Sequence, residues 1–248
     1  MEATNPEREF GVRMAVRNRV LEATLANPPD NRLTTDVLHG LDQVMDRFEA
    51  DDVDLLIIQG SKNSFSKGVD LTALSANPTP AELRKLLVLS NALFSRIARS
   101  AKPTVAAISG ACLGGGFELA LACHFRLCSD RARLGLPEVW IKLVPGLGGV
   151  YRLAKLVGPA KALEMTALGD LIGPQEALRL NIVNRVFPRD DFSDRVVSFV
   201  KALLMAEPRV IQEAIRLVSC CNTLGEEDCI RQGLESFARL AATWTSPT

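Results

Sequence analysis

The sequence predicts an α/β fold that turns helical in its last third. Three observations carry this. Two continuous apolar runs, Leu55 to Ile58 and Val105 to Ile108, have the length and composition of parallel strands buried on both faces. Each run leads into a glycine-containing loop and then a helical pattern, the order of a strand–helix crossover. From Phe192 onward only helical periodicity remains, broken at Pro208 and near Asn222 to Gly225. Neither a fixed-period repeat nor a low-complexity linker divides the chain. The expected organisation is a core over residues 1–190 and a helical region over 191–248.

The elements follow in order. Phe10 to Arg17 and Val20 to Leu25 alternate in polarity around Asn18-Arg19 and read as a hairpin. Asn27-Pro28-Pro29-Asp30-Asn31 is a turn cluster. Thr34 or Thr35 caps a helix whose apolar residues Val37, Leu38, Leu41, Val44, Met45 and Phe48 fall at helical spacing. The first buried strand ends in the loop GSKNSFSKG, residues 60–68. Pro78 and Pro80 break the chain before a helix over Ala81 to Arg99. Lys102-Pro103 precedes the second strand, Thr104 to Ser109. Gly114, Gly115 and Gly116 then open a helix of strong formers, and Arg126 to Ser129 reads as a third strand. A second glycine-rich turn, Pro145 to Gly149, precedes a helix from about Val150. Pro159 and Pro174 each open another, and Val183 to Phe187 is a short strand.

Composition excludes several function classes. The 248 residues carry 29 basic and 29 acidic side chains, so no net field favours nucleic acid or an anionic membrane. Aromatic residues make up 5%, too few for a base-stacking surface. No apolar run reaches the roughly 20 residues of a spanning helix. The start, MEATNPEREFGVR, lacks the apolar centre of a signal peptide, which points to the cytoplasm. The six cysteines form no CxxC pair and no zinc-type spacing, and no metal is expected. The two histidines, His39 and His124, each fall on an expected helix and read as packed or surface residues rather than catalytic ones. Without a Ser–His or Cys–His signature a nucleophilic triad is not expected.

The chemistry points to the stretch ACLGGGFELALACHFRL, residues 111–127. Glycine lets another group approach the backbone closely, and a helix start offers unpartnered amides at a positive dipole end. That combination suits a developing negative oxygen. Glu118 stands in this first turn on an otherwise apolar helix. Glu138 stands among Leu136, Val139, Trp140 and Ile141 in a later loop. By itself Glu118 reads equally as a helix-dipole contact, and Glu138 as a solvated carboxylate. If both are buried and face each other, they titrate as a pair with raised values.

GSKNSFSKGVDL, the segment from Ala101 through LGGGFE and LPEVWIKLVPGLGG to Gly158, and GDLIGPQEALRLNIVNRV occur in this order, with NPPDNRL before them. Together they resemble the crotonase family, the enoyl-CoA hydratase/isomerase superfamily, over about residues 10 to 240. The resemblance implies a spiral of ββα units with a C-terminal helical region for trimerisation and covering the site. It implies an acyl thioester of coenzyme A as substrate, coenzyme A being part of the substrate and no separate cofactor being needed. Two amides, at Val69 and Gly115, would hold the thioester oxygen. Glu118 and Glu138 match the two glutamates of the hydratase branch, which hydrates a 2-enoyl thioester or reverses that step. The alternatives are an isomerase working with Glu138 alone, or another reaction of this fold on an acyl-carrier-protein thioester. The resemblance places Ser66, Lys67, Gly68, Asp70 and Leu71 near the coenzyme A moiety, with Gly114 beside the thioester. Trp140 and Gly146 would line the acyl pocket. It implies a homotrimer or a dimer of trimers. The family pattern ends in a further helix with a basic stretch, whereas this sequence stops at LAATWTSPT; that difference keeps the acyl-carrier-protein alternative open. RNA binding, reported for some members, is disfavoured by the charge balance.

Overall fold

The computed structural model describes residues 8–61, 64–70, 72, 78–221 and 223–244. Among these residues ten strands form two sheets. β1 (Arg8–Glu9), β2 (Val12–Arg17) and β3 (Val20–Leu25) run antiparallel. β4 (Leu55–Gly60), β6 (Thr104–Ile108), β8 (Phe125–Ser129) and β10 (Arg185–Phe187) join them in parallel, in the order β1-β2-β3-β4-β6-β8-β10. A small parallel sheet holds β5 (Ser64–Ser66), β7 (Ala111–Leu113) and β9 (Arg133–Gly135) in the order β5-β7-β9. Each of the three turns β4-β5, β6-β7 and β8-β9 therefore gives one strand to each sheet. This is the expected spiral.

The large sheet is buried on both faces because its central strands carry continuous apolar runs, Leu55 to Ile58 and Val105 to Ile108. Leu56, Ile58, Ala106, Ile108 and Cys128 join the main core, while Leu55, Ile57, Val105, Ala107 and Leu127 face a second cluster. α1 (Thr35–Phe48) covers the main-core face. Thr34 caps it by accepting from the Val37 amide at 3.2 Å, which settles the choice between the two threonines. α2 (Pro80–Ala98) starts with a reciprocal capping box between Thr79 and Glu82. α3 (Gly115–Ala122) is buried all round, and Phe117 fills the space beneath it. α4 (Gly149–Val157), α5 (Pro159–Leu168) and α6 (Pro174–Arg179) follow.

α7 (Phe192–Leu204) packs Phe192, Val196 and Val200 on the second face of the large sheet. α8 (Pro208–Cys220) and α9 (Glu226–Ala241) form a hairpin tied by Arg216, Glu213, Ser236 and Arg239. Ser236 is the single buried residue of this pair.

Three expectations need correction. The first strand of the hairpin, β2, begins at Val12 rather than Phe10, because Phe10 and Gly11 both take positive φ and break the extended run. Phe10 instead stacks edge-on against His39. His124 is not helical: α3 ends at Ala122 and Cys123 is already extended. The Thr104 amide donates to His124 Nδ1 at 3.1 Å, and burial holds the imidazole neutral, at about 4. Glu138 lies in a 3-10 turn, Pro137–Ile141, rather than an open loop.

Candidate active site

The small sheet decides what meets at the centre of the molecule. β5 and β7 are neighbours, so the loop after β5 touches the glycine turn after β7. A Cβ on Gly116 would stand 2.5 Å from the Ser66 carbonyl oxygen, and one on Gly68 would stand 3.1 Å from the Gly115 nitrogen. The Val69 nitrogen lies 3.3 Å from where a Gly115 Cβ would point. The amides of Val69 and Gly115 are thus brought side by side. The first helical bond of α3 runs from the Glu118 amide to the Gly114 carbonyl, which leaves the Gly115 N–H ahead of the helical ladder. Val69 is bracketed by a bridge to Leu33 that uses the Gly68 carbonyl and the Asp70 amide, not its own N–H. Gly114, at φ 54 and ψ −131, holds a conformation that favours glycine, and it turns the chain into α3.

Glu118 is 1% exposed. Its Oε1 accepts from the Leu147 amide at 2.7 Å and the Gly149 amide at 2.8 Å. Burial raises its pKa, while the Gly149 and Leu147 amides and the Arg152 charge pull the other way. Glu138 reaches the same region from the 3-10 turn, since a Cβ on Gly114 would stand 3.0 Å from its Oε1. Its Oε2 is buried without a hydrogen-bond partner among the described residues. Burial first, and then the charge of Glu118, push Glu138 up to about 7. The two carboxyls share one field but differ in support: amides hold one, and the buried Oε2 of the other has no hydrogen-bond partner among the described residues.

The remaining expected site residues fall as follows. Ser66 is wholly buried, and its hydroxyl accepts from the Gly68 amide at 3.1 Å, shaping the loop. Lys67 is exposed and pairs with Asp30 at 2.9 Å. Asp70 accepts from the Thr72 amide, beside a groove of about 270 Å³ lined by Leu33, Thr34, Asp36, Val69 and Leu86. Leu71 lies outside the described residues. Gly146 is exposed, with Leu87 over it. Trp140 is 74% exposed, and its indole rests on Gly169. No group of three metal-binding side chains occurs among the described residues. No described helix is long and apolar enough to cross a membrane.

Sequence reasoning missed the residues that hold Glu118. The turn Pro145–Gly149 stands out as glycine-rich, but nothing in the order of residues ties its amides to a carboxylate some 30 positions earlier.

A spiral of two sheets defines a class of fold, and the comparison with known proteins agrees. The chain belongs to the enoyl-CoA hydratase/isomerase family, the crotonase superfamily, whose profile matches residues 15–237. It is 40% identical over 174 residues to a probable enoyl-CoA hydratase of Bacillus subtilis (strain 168), covering 70% of this chain and 67% of that protein. It is 42% identical over 163 residues to the fatty acid oxidation complex subunit alpha of Shewanella frigidimarina (strain NCIMB 400); the match covers 65% of this chain and 23% of that subunit. The chain thus spans about a quarter of the length of that relative. The fold matches an enoyl-CoA hydratase of Geobacillus kaustophilus HTA426 at a TM-score of 0.90 and 27% identity, over 95% of this chain and 90% of that one.

Proposed function

We propose that this chain hydrates a 2-enoyl thioester of coenzyme A to the 3-hydroxyacyl thioester, or runs the reverse dehydration. The observation that carries this reading is the pair of carboxyls with unlike support. Glu118, gripped by two amides, suits the ionised base that takes a proton from water as its oxygen attacks the β-carbon. Glu138, raised to about 7 by burial and by Glu118, suits the neutral acid that delivers a proton to the α-carbon. The Val69 and Gly115 amides would receive the thioester oxygen as it gains enolate charge, and one such donor typically lowers the barrier by ~3 kcal/mol. A proton returning from Glu118 to Glu138 through solvent resets the site. Coenzyme A enters as part of the substrate.

The test follows loss of the conjugated-thioester absorbance of crotonyl-CoA. The unsubstituted protein should turn it over, and Glu118→Gln and Glu138→Gln should each lose about 10²–10⁴-fold in kcat. Turnover by Glu118→Gln at the unsubstituted rate would overturn the two-carboxyl reading. It would favour the second one, a double-bond isomerase with Glu138 as sole shuttle, for which the unpartnered Glu138 Oε2 is the supporting observation. An acyl-carrier-protein thioester is the alternative carrier, read out by the same assay with the acyl group on that protein.

We also propose that the functional unit is a homotrimer or a dimer of trimers. Val218, Leu234 and Phe237 of the α8–α9 hairpin are exposed apolar side chains that a partner copy would cover.

A further inference from the structure

The amides that hold Glu118 belong to a five-residue turn, Pro145–Gly149, and this turn is itself held from behind. Asn91, on α2, donates from Nδ2 to the Gly146 carbonyl at 2.7 Å and to the Leu87 carbonyl at 2.9 Å. Arg152, in the first turn of α4, donates from Nη1 to the Leu147 carbonyl at 2.8 Å. Both side chains converge on Gly148. A Cβ there would stand 2.6 Å from Arg152 Nη1 and 3.4 Å from Asn91 Oδ1. Leu147 is thus held on both sides: its carbonyl faces Arg152 and its amide faces Glu118. The Gly146 carbonyl and the Leu147 N–H share one rigid peptide plane, so Asn91, by fixing that carbonyl, aims the N–H, while Arg152 fixes the next plane.

We propose that Arg152 and Asn91 are positioning residues for the reaction: they lock the Pro145–Gly149 turn so that the Leu147 and Gly149 amides hold Glu118 as an ionised, oriented base. The assignment of Glu118 as the base rests on the function proposed above; the clamp itself does not. The charge on Arg152 acts in the same direction as its hydrogen bond. It is half-buried, and Glu118 is the first-named group that raises its own proton affinity against the lowering effect of burial. The other groups facing this pair are Glu138 from the 3-10 turn, Cys123 from the end of α3, Arg99 from the end of α2 and Tyr151 from α4. Glu138 opposes ionisation of Glu118. Among these groups Arg152 is the cation that acts on Glu118.

The experiment titrates the Glu118 carboxyl directly, by the ¹³C shift of protein labelled at the glutamate carboxyls, the signal being assigned by its absence in Glu118→Gln. Arg152→Gln should move the titration midpoint upward, and Arg152→Lys, which restores the charge and one donor, should bring it most of the way back. An unchanged midpoint in Arg152→Gln overturns the clamp, whether or not the protein turns over an enoyl thioester. If Arg152→Gln does not fold, Asn91→Ala carries the test. It releases the Gly146 carbonyl, and the Leu87 carbonyl within α2, while leaving Arg152 in place, and a midpoint that stays put overturns the proposal in the same way. With crotonyl-CoA, Arg152→Gln should lose about 10²-fold in kcat with KM little changed, because the base is misaligned while the substrate's own contacts remain. The acidic limb of its pH profile should shift upward with the titration midpoint. A loss confined to KM would overturn the positioning role. Failure of the unsubstituted protein to turn over any enoyl thioester would remove the proposed function while leaving the titration result to decide the clamp.

Discussion

Glu138 sets a conflict between stability and chemistry at a single residue. Its folded-state pKa of about 7 lies above the ordinary carboxyl value, because burial and Glu118 disfavour its charge. A group with a raised folded value contributes stability below its unfolded pKa and loses it as pH rises through the folded one. At pH 5 the carboxyl is mostly neutral in the folded protein, and Glu138→Gln should change the melting temperature little. At pH 8 the wild-type side chain carries a charge with one buried, unpartnered oxygen, and Glu138→Gln should melt higher. Thermal scans at the two pH values check this; equal differences at both would remove the conflict. The same ionisation predicts that kcat/KM for hydration falls as pH rises through about 7. Both glutamates were visible in the sequence as acids in apolar company. Their unlike support was not, because it depends on amides about 30 residues downstream of Glu118 and on an oxygen that burial leaves alone.

The elements show which part of the fold patterns reveal. Strands β4 and β6 were legible because each carries an unbroken run of four apolar residues, as burial on two faces requires. The helices were legible from apolar spacing and from prolines at their first turns. The small sheet was not: β5, β7 and β9 have three residues each, too few for a period, and two carry glycine or serine that read as loop. Yet this sheet makes the site, because it brings the Val69 and Gly115 amides together. The turn into α4 tests the tolerance of that arrangement. A Cβ on Gly149 would lie 2.4 Å from Glu118 Cγ, while the backbone there is ordinary helix. Gly149→Ala should therefore fold at a cost of about 1–3 kcal/mol from overpacking, measured by denaturant unfolding. It should also lose about 10²-fold in kcat by displacing the carboxyl. Unimpaired turnover would mean that Glu118 need not sit where it does.

At the scale of the whole molecule the chain is compact around its sheets and open along its last helices. α7 closes the second face of the large sheet, whereas α8 and α9 leave Val210, Val218, Ile230, Leu234 and Phe237 exposed. Phe237 is 75% exposed, with Leu234 beside it on the same helix turn. Surface of this kind is ordinarily covered by another subunit. Sedimentation should find three or six copies, and a double change, Leu234→Glu with Phe237→Glu, should yield a smaller species. A monomer before any substitution would refute the assembly. Along α8, Val210, Ile211, Ala214, Ile215 and Val218 fall at helical spacing, but spacing does not say whether such a face turns inward or toward a neighbour. Here the fold leaves Val210 and Val218 exposed.

The hold on Glu118 also bears on how the protein matures. The acid emerges from the ribosome well before the amides of residues 147 and 149 that harness it. A nascent chain arrested between those points has its inner strands and its acid, but not the amides that orient the acid. On the function proposed above, such a half-made copy would not turn over thioesters.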